Sequence, residues 1–598
     1  MRHQDFVRNS RIKADGHNLG GAEAAREANW ATARKQFAKA VALSPDEAKY
    51  HHNLGVASQE LGLHKQAVSE FKVACSLEPR SSTRRTNLAK ALEQAGALDE
   101  AVSHYRRAFR SNIGELLSAL RRIASTLVSS GDFTKGIEIL NEVLSHDPRS
   151  SEDWMHLGIC LCNIGRVDDA VLALEKALRG NRSNFAVAGY LLLIRHYLPS
   201  ISARRHFRQH IRIARAIELQ RTRTYTYTPK DRQGARRLKI GYISADFREH
   251  SVSYLVEPIL QFRNKHRFEV VCFSDVLKAD ATTRRIKSLV DRWYDISGMT
   301  DGDCAEIVHQ ANLDILVDLG GYTGRCRLPV FTCRPAPIQI TAFGYPDTTG
   351  LNGINFKLTD SVMDPEGETE CFYTEALMRI NPCFLCYAPP RNAPAVRRRP
   401  ASKPLVFCCF NARPKITGEV LTIWSRILKR VPESTLAIKS FEMADPNVAH
   451  ELRSKLQHLD IDQSRVTVFP AVQNRRDHLE MYGLADIALD PFPYNGAITT
   501  CEALWMGLPV VALRGKTHVA RTSSSILQSA GLQSWVANDT REYIEIAVAA
   551  ANQRDRLAKL RATLRSQMRN SPLLNAPEYV AKLEACYERA FEQWISNI

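Results

Sequence analysis

Length and composition exclude several classes of protein. At 598 residues the chain is too long for one hydrophobic core, which predicts three or four folding units. Its 44% hydrophobic and 24% charged residues are ordinary for a globular protein and exclude a disordered or fibrous chain. The 14 cysteines are scattered, which predicts reduced thiols rather than a disulfide framework. The close pair Cys383 and Cys386 has no second pair nearby to complete a zinc site, so no metal site is predicted.

The charge balance favours anionic partners without identifying one. A net charge of +17 suits nucleic acid, phosphate-bearing ligands or acidic proteins. No recognisable nucleic-acid-binding domain accompanies this charge, so we predict no nucleic-acid partner. Residues 1–16 lack an apolar signal region, and no run of about 18 apolar residues occurs. We therefore expect a cytoplasmic protein without a membrane partner.

A repeat dominates the first third of the chain. Its markers are glycines spaced 34, 35 and 34 residues apart, at Gly62, Gly96, Gly131 and Gly165. Apolar residues recur at helical spacing between them, so each repeat predicts two short helices with the glycine ending the first. This is the tetratricopeptide pattern, with about five repeats over residues 17–184. Such a stack leaves a concave face that suits an extended peptide of a partner protein, and a purely scaffolding role is the alternative.

A helical connector is predicted over residues 185–235, ending near Pro229, and an α/β lobe over 236–390. Short apolar runs in this lobe predict buried strands at 238–243, 268–273, 314–317 and 338–343. Helical stretches at 282–290 and 304–311 separate some of these strands. The lobe is therefore predicted to contain a parallel sheet.

A second lobe follows a linker rich in proline and arginine at residues 391–404. Over 405–598 the predicted strands are 405–410, 436–438, 466–469, 487–489 and 510–513. Ligands of doubly wound sheets bind beyond the carboxyl ends of the strands, so we expect the active site in a cleft between the lobes. No GxGxxG motif follows a strand, which argues against a dinucleotide-dependent oxidoreductase.

The segment 489–502 runs from a strand through a proline- and glycine-rich turn into a helix. Free N–H groups and the positive dipole at this helix N-terminus suit a diphosphate, to which Thr499 and Thr500 add hydroxyl donors. Glu502 is placed to accept a hydrogen bond from a ribose hydroxyl. The alternative is ordinary helix capping by threonine.

Three other side chains are candidates for chemistry. Lys415 follows the strand at 405–410, where its ammonium would neutralise a departing nucleotide diphosphate without a metal. His250 lies in the loop after the first strand of the first lobe and is a candidate general base. His478 begins a helix and is a candidate nucleotide contact. Each is equally compatible with an ordinary surface or loop residue.

Several segments in the same order resemble the protein O-GlcNAc transferase family, including its SPINDLY branch. They are residues 241–247, 318–323, 334–339, 344–346, 410–415 and 495–505. The resemblance implies a tetratricopeptide superhelix followed by a GT-B fold of two Rossmann-like doubly wound lobes. It also implies inverting transfer of a sugar from a nucleotide diphosphate to serine or threonine hydroxyls of proteins. No metal is required in that family, the repeats present the acceptor as an extended peptide, and homo-oligomerisation stays open.

The resemblance assigns roles by motif position. His250 matches the histidine proposed as a base, and Lys415 matches the diphosphate lysine. Together with the local analysis, it gives the predicted nucleotide-sugar-binding residues as Gln473, Asn474, Arg475, His478, Ala497, Ile498, Thr499, Thr500 and Glu502.

Departures from the animal enzymes bear mainly on the donor. They are Ala412 for an amide side chain, Ile498 for a threonine, Glu502 for an aspartate and Met481 for an arginine. Three runs are closer to SPINDLY, whose members transfer fucose from GDP-fucose: residues 250–254, 278–281 and 383–387. We favour UDP-GlcNAc, the donor of the wider family, with GDP-fucose as the alternative. A third hypothesis, motivated by Ala412 and Ile498, is a repeat adaptor whose catalytic half has decayed.

Overall fold

The computed structural model describes residues 2–181, 184–199, 201–228, 236–397, 399–400 and 402–596. They form two compact units, the first reaching residue 130 and including 135–148, the second comprising 131–134 and the chain from 149. The predicted end of the connector near Pro229, and positions 398 and 401 of the predicted linker, lie outside the described residues. Within these described ranges, no helix is both long and apolar enough to cross a bilayer.

Up to residue 146 the described chain is a series of helices joined by short turns. They are α1 (Arg2–Arg26), α2 (Trp30–Leu43), α3 (Ala48–Glu60), α4 (His64–Leu77), α5 (Ser82–Gln94), α6 (Leu98–Ala108), α7 (Ile113–Ser130) and α8 (Phe133–His146).

Glycine explains the 34-residue period of the first unit. Gly62 and Gly96 follow α3 and α5 with φ of +73° and +81°, a left-handed conformation that glycine adopts without steric cost. Inside α3, a Cβ on Gly55 would lie 2.7 Å from the ring of Phe71 in α4. Glycine therefore recurs for two reasons: a left-handed turn after the first helix of a pair and a close contact between the two helices.

Four helices precede the sheets of the second unit: α9 (Ser151–Asn163), α10 (Val167–Gly180), α11 (Phe185–Arg195) and α12 (Ala203–Glu218). α9 and α10 form a helix pair of the same kind as α3 and α4, because a Cβ on Gly158 of α9 would lie 2.8 Å from Leu174 of α10. The other two fall in the predicted connector. Leu192 of α11 and Ile217 of α12 belong to the same apolar core as strand residues of the following lobe.

The N-terminal lobe contains a seven-stranded parallel sheet in the order β3-β2-β1-β4-β5-β6-β7. Its strands are β1 (Leu238–Ser244), β2 (Phe268–Ser274), β3 (Arg292–Asp295), β4 (Ile315–Asp318), β5 (Ile338–Thr341), β6 (Phe356–Thr359) and β7 (Ala376–Arg379). Its helices are α13 (Ser251–Phe262), α14 (Ala281–Lys287), α15 (Asp301–Gln310) and α16 (Leu328–Thr332). The structure adds β3, β6 and β7 to the strands predicted from sequence.

The C-terminal lobe contains a six-stranded sheet in the order β10-β9-β8-β11-β12-β13, again with parallel neighbours. Its strands are β8 (Val406–Cys409), β9 (Thr435–Lys439), β10 (Val466–Phe469), β11 (Ile487–Leu489), β12 (Val510–Leu513) and β13 (Val536–Ala537). Its helices are α17 (Gly418–Arg430), α18 (Pro446–Gln457), α19 (Arg475–Met481), α20 (Ile498–Trp505), α21 (Thr522–Ser529), α22 (Thr540–Asn552) and α23 (Arg554–Arg569).

The last helix departs from the predicted C-terminal lobe of residues 405–598. α24 (Ala576–Ser596) places Tyr579 and Leu583 in the apolar core of the N-terminal lobe. The hydroxyls of Tyr587 and Tyr242 in β1 are 3.2 Å apart. The sequence shows the apolar face of this helix but does not indicate which sheet the face covers.

Candidate functional site

The candidate site lies where the strand order of the C-terminal sheet reverses. β8 and β11 are neighbours there, although the chain leaves β8 toward β9 on one side and β11 toward β12 on the other. Asn411 and Lys415 follow β8, and Asp490 and Asn495 follow β11. Ligands of doubly wound sheets bind at such a switch point.

Lys415 is held by neutral oxygen atoms. Its ammonium donates to the backbone carbonyl of Asn495 at 2.8 Å and to the Asn411 side-chain oxygen at 3.4 Å, and it lies 4.4 Å from the ring centre of Tyr494. Burial lowers the pKa of Lys415 to about 8, against an opposing effect of Asp490. No carboxylate among the described residues forms an ion pair with Lys415, so its positive charge is poorly compensated.

The first turn of α20 starts beside this lysine. Ala497 occupies the N-cap position and provides no side-chain hydrogen bond to the helix, which leaves the first N–H groups uncapped by a side chain. The preceding Gly496 donates its N–H to Asp490 at 2.8 Å. A Cβ on Gly496 would lie 2.6 Å from the Thr499 hydroxyl oxygen, so the turn requires glycine.

The threonines of α20 do not cap it, contrary to the alternative weighed from sequence. The Thr499 hydroxyl donates to Asn411 at 3.0 Å and so joins the two strand ends. Thr500 is buried, and its hydroxyl lies 2.8 Å from that of Ser523. The Ile498 side chain belongs to the apolar core, so any contact from Ile498 with a ligand would come from its backbone.

A second group of side chains lies one turn along α20. Glu502 is buried and accepts a hydrogen bond from His478 Nε2 at 2.9 Å. The Lys439 ammonium, at the end of β9, donates to Nδ1 of the same ring. These two bonds require the neutral tautomer of His478 with its proton on Nε2. Burial lowers the pKa of Lys439 to about 8.

Arg475 connects this group to the N-terminal lobe. Its guanidinium lies 3.6 Å from Glu502, and its central carbon is 3.3 Å from the ring centre of Tyr254 in α13. It also donates to the Tyr387 hydroxyl at 3.3 Å. The Tyr254 hydroxyl in turn donates to Glu249, the residue before His250. A cation–π contact of this kind stabilises the juxtaposition of the two lobes.

Two of the predicted nucleotide-sugar-binding residues lie just before the first residue of α19. Gln473 and Asn474 are both exposed. Asn474 is the N-cap of α19, accepting from the Asp477 N–H at 2.9 Å and donating to its carboxylate at 2.6 Å. The structure therefore gives Asn474 a capping role, while Gln473 stays a predicted contact at the surface.

His250 lies apart from the other candidates. It is the N-cap of α13, with Nδ1 accepting the Val252 N–H at 3.3 Å and lying 3.6 Å from an Asp246 carboxylate oxygen. Burial lowers the pKa of His250, although its side chain is 37% exposed. Its polar contacts with described residues are all within the N-terminal lobe. Because Nδ1 accepts the Val252 N–H, the ring proton lies on Nε2 in this arrangement, and a base acting through Nε2 requires the other tautomer, with the Nδ1 proton facing Asp246.

The structure thus brings together Lys415 with Thr499, and Arg475 and His478 with Glu502. His250 is linked to them through its neighbour Glu249, which accepts from the Tyr254 hydroxyl under Arg475. Sequence reasoning missed other polar and aromatic members of the site: Tyr254, Lys439, Asp490, Tyr494 and Asn495. Lys439 and Asp490 each end or follow a buried strand, which is the signal that could have identified them.

Comparison with known proteins identifies the family. The model described as glycosyl transferase family 41 matches residues 193–387 and 396–583, more than half of the chain. The chain belongs to this family. A tetratricopeptide repeat model matches residues 121–184. The predicted relationship to the O-GlcNAc transferases is confirmed, as is the predicted fold of a tetratricopeptide region followed by two parallel-sheet α/β lobes.

Curated relatives from plants match about three fifths of the chain's length. A protein named "Probable UDP-N-acetylglucosamine--peptide N-acetylglucosaminyltransferase SPINDLY" from Arabidopsis thaliana is 38% identical over 376 residues, covering 62% of this chain and 41% of that protein. The protein named SEC, with the same enzyme name and from the same plant, is 31% identical over 382 residues, covering 61% and 38%. The chain spans about two fifths of the length of these curated relatives.

One solved structure matches along nearly the whole chain. It is an O-GlcNAc transferase mutant from Thermobaculum terrenum, 27% identical, with a TM-score of 0.72. The match covers 98% of this chain and 99% of that one.

Proposed function

We propose that this protein is an inverting glycosyltransferase that moves GlcNAc from UDP-GlcNAc to serine or threonine hydroxyls of acceptor proteins. One observation carries the proposal: the poorly compensated Lys415 ammonium lies beside the uncapped first turn of α20, in a chain of glycosyl transferase family 41. Both features attract an anion, and a nucleotide diphosphate is the anion that sugar donors carry.

In this proposal the diphosphate binds between Lys415 and the first turn of α20. The lysine exchanges its neutral carbonyl acceptor, Asn495, for a phosphate oxygen, which makes a stronger charge-assisted hydrogen bond. As the bond from the sugar to the diphosphate breaks, negative charge grows on the leaving oxygen beside the ammonium. We propose that this stabilisation needs no metal ion.

The nucleoside binds along the second group of side chains. Glu502 keeps one strong bond to His478 and has a second carboxylate oxygen 3.6 Å from Arg475, so it can accept from a ribose hydroxyl. Lys439 fixes the His478 ring and so orients Glu502. Gln473 and the backbone of Ala497 and Ile498 are proposed to complete the nucleotide-sugar contacts.

His250 is the proposed base. As the acceptor oxygen forms its bond to the anomeric carbon, the hydroxyl proton passes to Nε2 and the sugar–phosphate bond breaks on the opposite face, which inverts the configuration. This step uses the tautomer with its proton on Nδ1, where it faces Asp246 in place of the bond from the Val252 N–H. We expect His250→Ala to lower the transfer rate about 100-fold, the lower range for a general base, while nucleotide affinity changes less than about twofold. Transfer assays and calorimetry on His250→Ala and on the exposed control His266→Ala check this, and an unchanged rate would contradict the assignment.

The tetratricopeptide repeats are proposed to bind the acceptor as an extended peptide. Within the first unit, amide side chains recur at one register of the repeat: Asn53 donates to Asn18 at 2.8 Å, and Asn87 lies 3.4 Å from His52. These amides are partly exposed, and each offers a donor and an acceptor to a peptide backbone.

All 14 cysteines are free, which supports the cytoplasm as the proposed compartment.

GDP-fucose is the second candidate donor. The specific observation in its favour is the higher identity to SPINDLY, 38%, than to SEC, 31%, because the sequence resemblance associates SPINDLY with fucose transfer.

Calorimetric titration of the full chain with UDP and with GDP separates these donors before an acceptor is known. Tighter binding of UDP supports GlcNAc transfer, and tighter binding of GDP moves the proposal to fucose. If neither nucleotide binds, the transferase proposal fails and the repeat adaptor replaces it.

A further inference from the structure

Three histidines and one aspartate meet behind the candidate site. His196 ends α11, His206 and His210 lie one turn apart on α12, and Asp347 lies in the loop between β5 and β6. One ligand atom from each residue can be chosen so that all four atoms lie within 4.8 Å of one another. The candidate catalytic residues do not use this cluster.

One polar atom of the cluster lacks a partner in the described part of the chain. His196 Nε2 is buried and has no hydrogen-bond partner among the described residues. An Asp347 carboxylate oxygen lies 3.7 Å from His196 Nε2 and 3.7 Å from His206 Nδ1, too far for a hydrogen bond. Buried polar atoms are normally paired, because leaving one unpaired typically costs about 1–3 kcal/mol. The unpaired His196 Nε2 beside this carboxylate therefore points to a ligand between them.

We propose that His196, His206, His210 and Asp347 bind one Zn²⁺ ion. Neutral imidazoles and a carboxylate are ligands that zinc takes in tetrahedral sites. With metal–ligand bonds of about 2.0 Å, neighbouring ligand atoms of a tetrahedron lie roughly 3.3 Å apart. The two separations of 3.7 Å need to shrink by only a few tenths of an ångström.

His210 already has the outer hydrogen bond that is usual for a zinc-binding histidine. Its Nδ1 donates to the backbone carbonyl of His206 at 3.0 Å, which directs the lone pair of Nε2 toward the cluster. That lone pair now accepts the Tyr345 hydroxyl at 2.7 Å. In the zinc-bound protein the ion would take the place of this hydroxyl.

An ion has a route to the cluster. His206 and Asp347 line a pocket that opens to solvent, together with Pro346 and His518. Two buried cations lie beside the cluster. Lys357 donates to the Tyr345 carbonyl at 2.9 Å, and Arg195 pairs with Glu175 at 2.6 Å. Glu375 and Asp364 interact favourably with that lysine and so offset its repulsion of a second cation.

The ion would join three separate segments of the second unit: the end of α11, the first turns of α12 and the loop after β5. The ring of His196 also meets the ring of Tyr494 edge-on at 6.4 Å, and Tyr494 lies under the Lys415 ammonium. The inferred role is structural, holding the connector helices to the N-terminal lobe and supporting Tyr494. It is separate from the transfer step, in which we propose no metal.

The test uses the full chain, treated with a chelator, dialysed, and titrated with Zn²⁺ alone. We expect one equivalent of zinc by elemental analysis after gel filtration, and a midpoint of thermal unfolding that rises by a few degrees with excess zinc. His196→Ala and Asp347→Asn should each weaken zinc binding by at least about tenfold. The exposed His266→Ala is the matched control and should bind zinc like the wild type.

Equal zinc affinity in the wild type, His196→Ala and Asp347→Asn would overturn the proposal, because it would place the ion on other histidines. If the variants fail to fold, as judged by circular dichroism, Co²⁺ binding to the wild type decides instead. Visible absorption bands of four-coordinate cobalt with nitrogen ligands support the site. Bands of six-coordinate cobalt, or no binding, overturn it.

Discussion

Two lysines of the C-terminal lobe occupy similar positions and have different partners. Lys415 follows β8 and Lys439 ends β9, the neighbouring strand, and burial lowers the pKa of each to about 8. Lys415 donates to the Asn495 carbonyl, a neutral acceptor that a phosphate can replace. Lys439 donates to the His478 ring, which is itself bonded to Glu502.

Under the proposed function, this difference separates two ways of binding one nucleotide. The diphosphate end presents a charge with replaceable partners, so its contribution grows with the negative charge of the ligand. The nucleoside end is a connected chain of side chains, so its contribution is mainly orientation. The predictions below follow from this division, beginning with the largest effect.

Lys415→Ala should lower transfer by about 100- to 1,000-fold, because the leaving diphosphate loses its nearest positive charge. Steady-state assays with the donor chosen by calorimetry measure this loss. Lys429→Ala removes a more exposed lysine of the same lobe, paired with Asp460, and is the matched control. If Lys415→Ala transfers the sugar as fast as the control, a group other than Lys415 stabilises the leaving diphosphate.

The pH dependence of diphosphate binding should follow Lys415. The folded protein holds the pKa of this ammonium near 8, below its usual value, so the charge is lost as the pH rises through that value. Above it, affinity for inorganic pyrophosphate should fall by about tenfold per pH unit. Calorimetry at pH 7, 8 and 9 checks this. Lys439→Gln should show the same fall of pyrophosphate affinity with pH. If the affinity of that variant no longer changes with pH, Lys439 rather than Lys415 binds the diphosphate.

Glu502→Gln should weaken nucleotide binding about tenfold and leave pyrophosphate binding unchanged, because the lost acceptor belongs to the nucleoside end. Titrations with both ligands measure the two effects separately. Glu480→Gln alters a more exposed glutamate of α19 that pairs with Arg397, and serves as the control. Parallel losses for both ligands would show that the two ends are not independent.

Lys439→Gln should have the smallest effect, about threefold on nucleotide affinity at pH 7, because it acts only by releasing the His478 ring. A double-mutant cycle with Glu502→Gln tests this route. In the Glu502→Gln background, Lys439→Gln should lower nucleotide affinity little further, since both substitutions act on one hydrogen-bonded chain. Additive losses would mean that Lys439 contacts the ligand directly.

Sequence patterns predicted most strands of both sheets and missed β3, β6, β7 and β13. β1 and β2 are apolar over most of their length, and their predicted ranges differ from the observed ones by a single residue at the carboxyl end. β3 is a four-residue edge strand with exposed ends, and β6 contains the buried Lys357, so neither has an apolar run. Tertiary pairing, which sequence periodicity does not report, forms these strands.

The same limit applies to the candidate site. Lys415, His478 and Glu502 could be predicted because each lies in or beside a strand-to-helix motif. Tyr254 could not, because its contact with Arg475 depends on how two sheets approach each other. His206 and His210 show helical spacing suited to a metal, yet Asp347 is more than 130 residues away in sequence.

Under the proposed function, the stack of Arg475 on Tyr254 would link nucleotide binding thermodynamically to association of the lobes. Arg475 touches Glu502 at the nucleoside end and Tyr254 in the other lobe, so one side chain belongs to both equilibria. If a bound nucleoside holds Arg475 in this position, it strengthens the association of the lobes. By reciprocity, lobe association then strengthens nucleoside binding by the same factor. Release of the spent nucleotide and separation of the lobes would accordingly share a single free-energy cost.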